Sequence, residues 1–270
     1  MHPVSDNIST RPRITLRANR YEDREDEVSL SVDGHIRWVF FDFAGTLAFN
    51  DPPRVWHYLR ACARRGMFLN RRDIWAALNA VWDTVDSESG VAHPEVSKDQ
   101  ASYDGFRAGL EAQILERLGI DRDREAIIQE LLVIQDNPQV YTLYPEARAA
   151  SARLRDAGYQ LGIVSNFTWA LPDLVTALGL APYVSTVITS ARVGYRKPHP
   201  KIFEAAMMAT GADPKESLFV GDSFEADVAG AASYGFQSLL VDRRLTGRHQ
   251  CPSIRFLTDL YHVLSLPEGI

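Results

Sequence analysis

The chain has 270 residues, of which 46% are hydrophobic and 24% charged, and a formal net charge of -6. Such a length holds one large unit or two smaller ones around an ample core, and the acidic balance argues against a nucleic-acid partner. No run reaches the roughly 18 apolar residues of a membrane span, which argues against a membrane partner, and the N-terminus lacks the apolar segment of a secretory signal. Cys62 and Cys251 match no metal spacing and read as reduced thiols, so the expectation is a cytoplasmic protein acting on a small molecule.

Residues 1–34 read as a charge-rich, mobile extension in which "EDREDE" (Glu22 to Glu27) is a solvated run. Asp33-Gly34 marks either a hairpin or a simple turn into an apolar strand from Arg37 to Phe41. From Pro52 to about Val140 the periodicity is helical. Four helices are expected, over "RVWHYLRACARRG", "NRRDIWAALNAVWDTVD" capped by Asn70, "DQASYDGFRAGLEAQILERLG", and "DRDREAIIQELLVIQ" opening on Asp121. Trp75 and Trp82 lie seven apart on one helical face and are expected, with Trp56, in the core of this unit.

From Tyr144 onward, helical segments alternate with short apolar runs: "YQLGIVS", "VSTVITS", "SLFVGD" and "FQSLLVD". That is the pattern of a parallel sheet with helices on both faces. The early strand needs the same sheet, so the helical stretch 51–140 is an insertion. Residues 35–50 and 141–270 then form a Rossmann-like α/β core.

Three apolar strands run directly into a polar residue: Asp42, Ser165 and Asp222. Ligands of open parallel sheets bind beyond the carboxyl ends of the strands, so neighbouring strands would bring these side chains to one crevice. The loop "GYRKPHP" adds Lys197, and Asp227 falls in the first turn of the helix after Asp222. Clustered carboxylates raise one another's pKa unless a cation sits among them, and hard oxygen ligands beside a phosphate suit Mg²⁺. An aspartate in such a place can attack phosphorus. Arg196 is expected in an exposed salt bridge and His199 in packing of the loop.

With "DFAGTL" (Asp42 to Leu47), "VSN" (Val164 to Asn166), "GYRKPHPKIF" around Lys197 and "VGDSFEAD" carrying Asp222 and Asp227, the chain resembles the haloacid dehalogenase superfamily of hydrolases across residues 37–242. The inserted helices resemble the α-helical cap of one large subgroup. The resemblance implies that Asp42 is the nucleophile and that Mg²⁺ is held by Asp42, the Ala44 carbonyl and Asp222. It further implies that Thr46 and Ser165 hydrogen-bond the nucleophile or the phosphate. Gly45 and Asn166 join Ser165 and Lys197 around the phosphate, and Asp227 positions Lys197 or a metal-bound water.

Ala44 departs from the pattern. Phosphatases of this superfamily usually carry a second aspartate there for proton transfer, and losing a general acid/base removes about 10²- to 10⁴-fold in rate. Three readings follow. One is a phosphatase for a small phosphorylated metabolite, working through an aspartyl-phosphate, whose leaving group needs little protonation or finds its proton elsewhere. A second is a phosphonate hydrolase resembling phosphonoacetaldehyde hydrolase, which also has Ala at this position and needs a cap lysine, here only Lys98. The third is a phosphate-binding or regulatory protein without turnover. Carbon–halogen hydrolysis fits less well, because the dehalogenases of the superfamily work without metal and lack the acidic "GDSFEAD" pattern.

Overall fold

In the computed structural model, residues 35–85, 87 and 92–266 are described; the extension with its acidic run and the Asp33-Gly34 turn lies outside them. The first strand, β1 (Trp38–Phe41), is buried on both faces: Val39 and Phe41 enter one core and Phe40 another. Such two-sided burial is what a strand interior to a parallel sheet requires. Truncating Phe41 to Ala would cost about 3–5 kcal/mol by the usual behaviour of buried aromatics.

After the first motif the chain forms β2 (Ala48–Asn50), then four helices, α1 (Arg54–Ala63), α2 (Arg71–Val85), α3 (Gln100–Arg117) and α4 (Arg124–Gln135). It returns through β3 (Tyr141–Leu143), which pairs antiparallel with β2, Asn50 opposite Tyr141. The two passages into and out of the helical stretch are thus held side by side by one short ladder. The helices share a core of their own, with Val55 and Tyr58 from α1, Ile74 and Val81 from α2, Ile114 from α3 and Leu131 from α4.

Their ends follow the sequence chemistry in most places. Asn70 accepts from the Arg72 amide at 2.8 Å, and Asp99 accepts from Ser102 at 2.7 Å, so both act as N-terminal caps. The fourth helix starts later than expected, at Arg124 rather than at Asp121. Ile120 folds back to hydrogen-bond Leu115 as α3 closes, and Asp123 then adopts left-handed backbone (φ 57°), which no helix can contain.

The tryptophan expectation fails for two of three residues: Trp56 is 41% and Trp75 49% exposed. On α2 the inner stripe is Ile74, Leu78, Val81 and Val85, one position away from the two tryptophans.

Beyond β3 come α5 (Ala147–Asp156), β4 (Gln160–Ser165), α6 (Leu171–Ala177), β5 (Thr186–Thr189), a single turn α7 (Ser190–Val193) and α8 (Pro200–Thr210). Then follow β6 (Ser217–Gly221), a π turn at Phe224–Ala229, α9 (Gly230–Tyr234), β7 (Gln237–Val241) and β8 (Ser253–Ile254). The six-stranded sheet has the order β5-β4-β1-β6-β7-β8 with every pairing parallel. Leu154 of α5 and Leu174 of α6 cover one face, while Phe203 of α8 and Ala231 of α9 cover the other. This is an α/β, Rossmann-like architecture. The order switches direction at β1, so the carboxyl ends of β4, β1 and β6 border one crevice. Among the described residues no helix is long and apolar enough to cross a membrane.

Candidate active site

Asp42 follows β1 directly, its amide bound to the Val220 carbonyl of the neighbouring strand at 2.9 Å. Its carboxylate is buried, and Oδ1 accepts from Ser165 Oγ at 2.9 Å and from Lys197 Nζ at 2.7 Å. Lys197 also donates to the Val164 carbonyl at 2.8 Å and to Asp227 Oδ1 at 2.6 Å. An ammonium has three hydrogens, so this one is fully committed. Three strand ends and one loop therefore meet as the motif spacing suggested.

Asp227 reaches Lys197 because the segment after Asp222 is wound as a π turn rather than the α-helix that the sequence pattern suggested. Val228 N bonds back five residues to the Ser223 carbonyl at 3.2 Å, and Asp227 Oδ2 accepts from Ser223 N at 3.0 Å. The carboxylate is held at both oxygens. Its close approach to the strand also explains Gly221, where an added Cβ would lie 2.2 Å from Asp227 Oδ2. Gly45 (φ +91°) is constrained in the same way, since a Cβ there would lie 2.1 Å from Asp222 Oδ2.

Oxygens of Asp42, Asp222 and Asp227 lie within 4.8 Å of one another. Three carboxylates against one ammonium leave an excess of negative charge, and the titration of the group reflects it. Burial alone would lower Lys197, but Asp227 and Asp42 outweigh it and hold the ammonium charged. Asp227 is raised chiefly by burial, partly offset by Lys197. Asp222, the solvent-facing member, is pushed up to about 7, by desolvation first and then by Asp42 and Asp227. The donor set is hard, anionic and short of positive charge, which is the chemistry that suits a divalent cation.

The remaining expected residues fall at varied distances from this centre. Ala44 is exposed, so the position of the missing acid is open to solvent. Thr46 is fully buried, yet its Oγ1 has no hydrogen-bond partner and does not bond Asp42. Asn166 spends its amide on the Lys197 backbone, accepting at 2.7 Å and donating at 2.9 Å, and so fixes the lysine loop.

His199 caps α8 and packs on Tyr195. Arg196 was expected to be exposed and is instead buried, its guanidinium 5.2 Å from the centroid of the Trp82 ring. Lys98 is exposed at the end of a short turn (Pro94–Ser97).

One residue was missed from sequence. Arg243, just past β7, donates to the Gly45 and Thr46 carbonyls at 3.2 and 2.7 Å and to Glu146 at 2.7 Å. It clamps the loop of the first motif. The only local signal was a basic residue after a strand end.

A family model described as haloacid dehalogenase-like hydrolase matches residues 36–235. A phosphoserine phosphatase of Thermus thermophilus is 33% identical over 174 residues, covering 63% of this chain and 66% of that protein. A glyceraldehyde 3-phosphate phosphatase of Methanothermobacter thermautotrophicus is 35% identical over 104 residues, covering 38% and 46%. The chain thus spans about half to two thirds of the length of these curated relatives. In fold it is similar to the magnesium-bound putative hydrolase YfnB of Bacillus subtilis (18% identity, TM-score 0.68, 86% of this chain and 100% of that one). It is also similar to L-2-haloacid dehalogenase of Xanthobacter autotrophicus (23% identity, TM-score 0.59, 86% and 99%).

Proposed function

The chain belongs to the haloacid dehalogenase-like hydrolases, and from that premise we propose that it is a Mg²⁺-dependent phosphohydrolase of a small phosphorylated metabolite. The observation that carries this reading is the meeting of Asp42, Ser165 and Lys197 at one oxygen, with Asp222 nearby in a cluster short of positive charge. Fold alone does not choose between carbon–halogen and phosphate chemistry, since structures of both kinds are similar. The relatives described as phosphatases support the phosphate reading.

In this reading both hydrogen bonds to Asp42 fall on Oδ1, which orients Oδ2 as the attacking oxygen. Its bond to phosphorus forms as the ester P–O bond breaks, leaving an aspartyl-phosphate and an alkoxide. Lys197 and Ser165 balance charge at the carboxylate, and Asp227 holds Lys197 in place. Asp42, Asp222 and the Ala44 carbonyl would hold Mg²⁺, which would supply the charge neutralisation that a phosphate dianion needs to approach. Ala44 offers no proton, so the alkoxide takes one from solvent at this open position or from the substrate. Water then hydrolyses the acyl phosphate. The helices α1–α4 serve as a cap over residues 51–140, bounding the space above the strand ends. Lys98 is exposed, which does not favour the phosphonate reading.

The test is phosphate release from a panel of phosphomonoesters, with Mg²⁺ or EDTA, for the wild type and Asp42→Asn. The expected result is turnover only with metal and only in the wild type. Ligand-induced stabilisation without phosphate release would instead identify a binding protein.

A further inference from the structure

We propose that Arg243 is a positioning residue for the divalent cation, holding the first-motif loop in the shape that presents the Ala44 carbonyl beside Asp222. This inference rests on the metal-dependent reading of the site for its ligand but on separate contacts for its geometry.

The loop from Phe43 to Ala48 is a tight turn. The Leu47 and Ala48 amides both bond the Phe43 carbonyl at 2.9 Å, and the Gly45 amide bonds the Ala48 carbonyl at 2.7 Å. In a planar trans peptide the C=O points opposite the N–H, so the last of these bonds turns the Ala44 carbonyl away from Ala48. The next two carbonyls are met by Arg243, with Nε 3.2 Å from Gly45 O and Nη2 2.7 Å from Thr46 O. Gly45 (φ +91°) is the residue at which such a turn flips most readily, because it has no Cβ to restrict it. Its backbone also lies against Asp222, where an added Cβ would be 2.1 Å from Oδ2. Fixing the Gly45 carbonyl therefore fixes the peptide that carries one ligand and the surface on which another rests.

Arg243 is itself held from several sides. The Asp242 amide bonds the Ile254 carbonyl at 2.8 Å, and Asp242 Oδ2 accepts from Thr246 Oγ1 and the Gly247 amide, each at 3.0 Å. Nη1 of Arg243 donates to Glu146 at 2.7 Å, so all three guanidinium nitrogens are committed. The guanidinium lies 3.3 Å from the centroid of the Tyr144 ring, and the Tyr144 amide bonds Leu47 O at 3.0 Å in the same loop. The Arg243 side chain is only 16% exposed, which keeps its geometry out of solvent. A planar fork can hold two adjacent carbonyls at once, as the compact ammonium of a lysine cannot.

Charge and geometry predict opposite outcomes for the loss of this residue. A guanidinium near a metal site repels the cation, so removing the charge alone would tighten Mg²⁺ binding. Removing the hold on the loop would weaken it.

The experiment measures binding of Mg²⁺ and Ca²⁺ to the metal-free protein by calorimetry, with melting temperatures alongside, for the wild type, Arg243→Met, Arg243→Lys and Glu146→Gln. Arg243→Met keeps the apolar stem and removes every donor. Its Mg²⁺ dissociation constant should rise about 10- to 100-fold, the range for losing an outer partner of a metal ligand. Ca²⁺ tolerates looser geometry than Mg²⁺ and should lose less, so the Mg²⁺ preference should fall. Arg243→Lys, which keeps the charge, should recover only part of the affinity. Glu146→Gln weakens a single bond to the guanidinium and should shift Mg²⁺ binding in the same direction by about threefold, which keeps the question open to test if Arg243→Met does not fold. A merely structural arginine would lower the melting temperature and leave the dissociation constant alone. Unchanged or tightened Mg²⁺ binding in the folded variants overturns the proposal while leaving the metal-dependent reading intact. Failure of the wild type to bind Mg²⁺ overturns that reading, and the proposal with it.

Discussion

The strand-end cluster and the helix-lined cavity around Arg54, Trp82 and Arg107 are both buried and both charged, yet the cationic group of the first is fully hydrogen-bonded while several donors of the second keep one N–H without a partner. At the strand ends all three Lys197 hydrogens are spoken for, and Asp227 is held at both oxygens. In the cavity Arg54, Arg107 and Trp82 each keep a buried N–H without a partner. Full satisfaction fixes a geometry before any ligand arrives, which is what transfer of a constant chemical group demands.

The largest effect comes from breaking the satisfied side. Lys197→Met removes the ammonium from among three carboxylates, so phosphate release should become undetectable. Urea unfolding near neutral pH should show a loss of about 3–5 kcal/mol, as expected when one partner of a buried ion pair is deleted. A variant as stable as the wild type would mean that the cluster is not coupled as drawn.

The two layers also differ in how far the sequence disclosed them. Asp42, Ser165 and Asp222 each end an apolar run, so strand periodicity alone points them to one edge. Asp227 was legible as a neighbour, but its aim depends on a π turn, and α and π windings share nearly the same apolar pattern. Thr46 was expected to hydrogen-bond the nucleophile or phosphate; its hydroxyl is buried without any partner, a detail of side-chain direction that spacing does not encode. Arg243 meets Gly45 only through the return of the chain after β7. In the helical unit, Arg54 and Glu111 belong to different helices, and a charged helical residue carries no sign of its partner. The seven-residue spacing puts Trp75 and Trp82 on one helical face, yet Trp82 packs against the helical core while Trp75 is exposed. The inner stripe is Ile74, Leu78 and Val81, and periodicity does not say how far along the neighbouring face the packing partners reach.

The second effect sharpens the comparison by completing the open position of the strand-end layer. Ala44→Asp should raise single-turnover rates on esters with poor leaving groups, with a ceiling of about 10²- to 10⁴-fold. p-Nitrophenyl phosphate should gain least, since its leaving group departs without protonation. No gain on any ester in the folded, Mg²⁺-loaded variant would mean that more than an acid is missing.

A smaller effect belongs to the helical layer. Glu111→Gln weakens the bonds to Arg54 and Tyr58 and should cost about 2 kcal/mol in urea unfolding, the scale of a hydrogen bond to a charged group. An unchanged midpoint would indicate that the pair is not needed to hold α1 against α3.

The smallest is a pH effect. The folded, metal-free protein keeps a proton on Asp222 up to about pH 7, whereas the unfolded chain loses it near 3.8. Between those values the folded state binds the extra proton, so this group's contribution to stability declines as pH rises through the window. Relative to Asp222→Asn, the metal-free melting temperature should fall across that range. Mg²⁺ requires the ionised carboxylate, so its stabilising effect should grow as pH rises through 7. Melts that run parallel with and without Mg²⁺ at every pH would remove Asp222 from the metal site.

The most direct measurement is the search for phosphate on Asp42 itself. Labelled 2-phosphoglycolate and glycerol 2-phosphate are mixed with the Mg²⁺-loaded protein, acid-quenched within one turnover, and the digest is read by mass spectrometry. The account predicts a phosphoryl group on the peptide carrying Asp42, absent in Asp42→Asn and in EDTA. Release of inorganic phosphate at full rate by Asp42→Asn, or a phosphoryl group found at another residue, would contradict it.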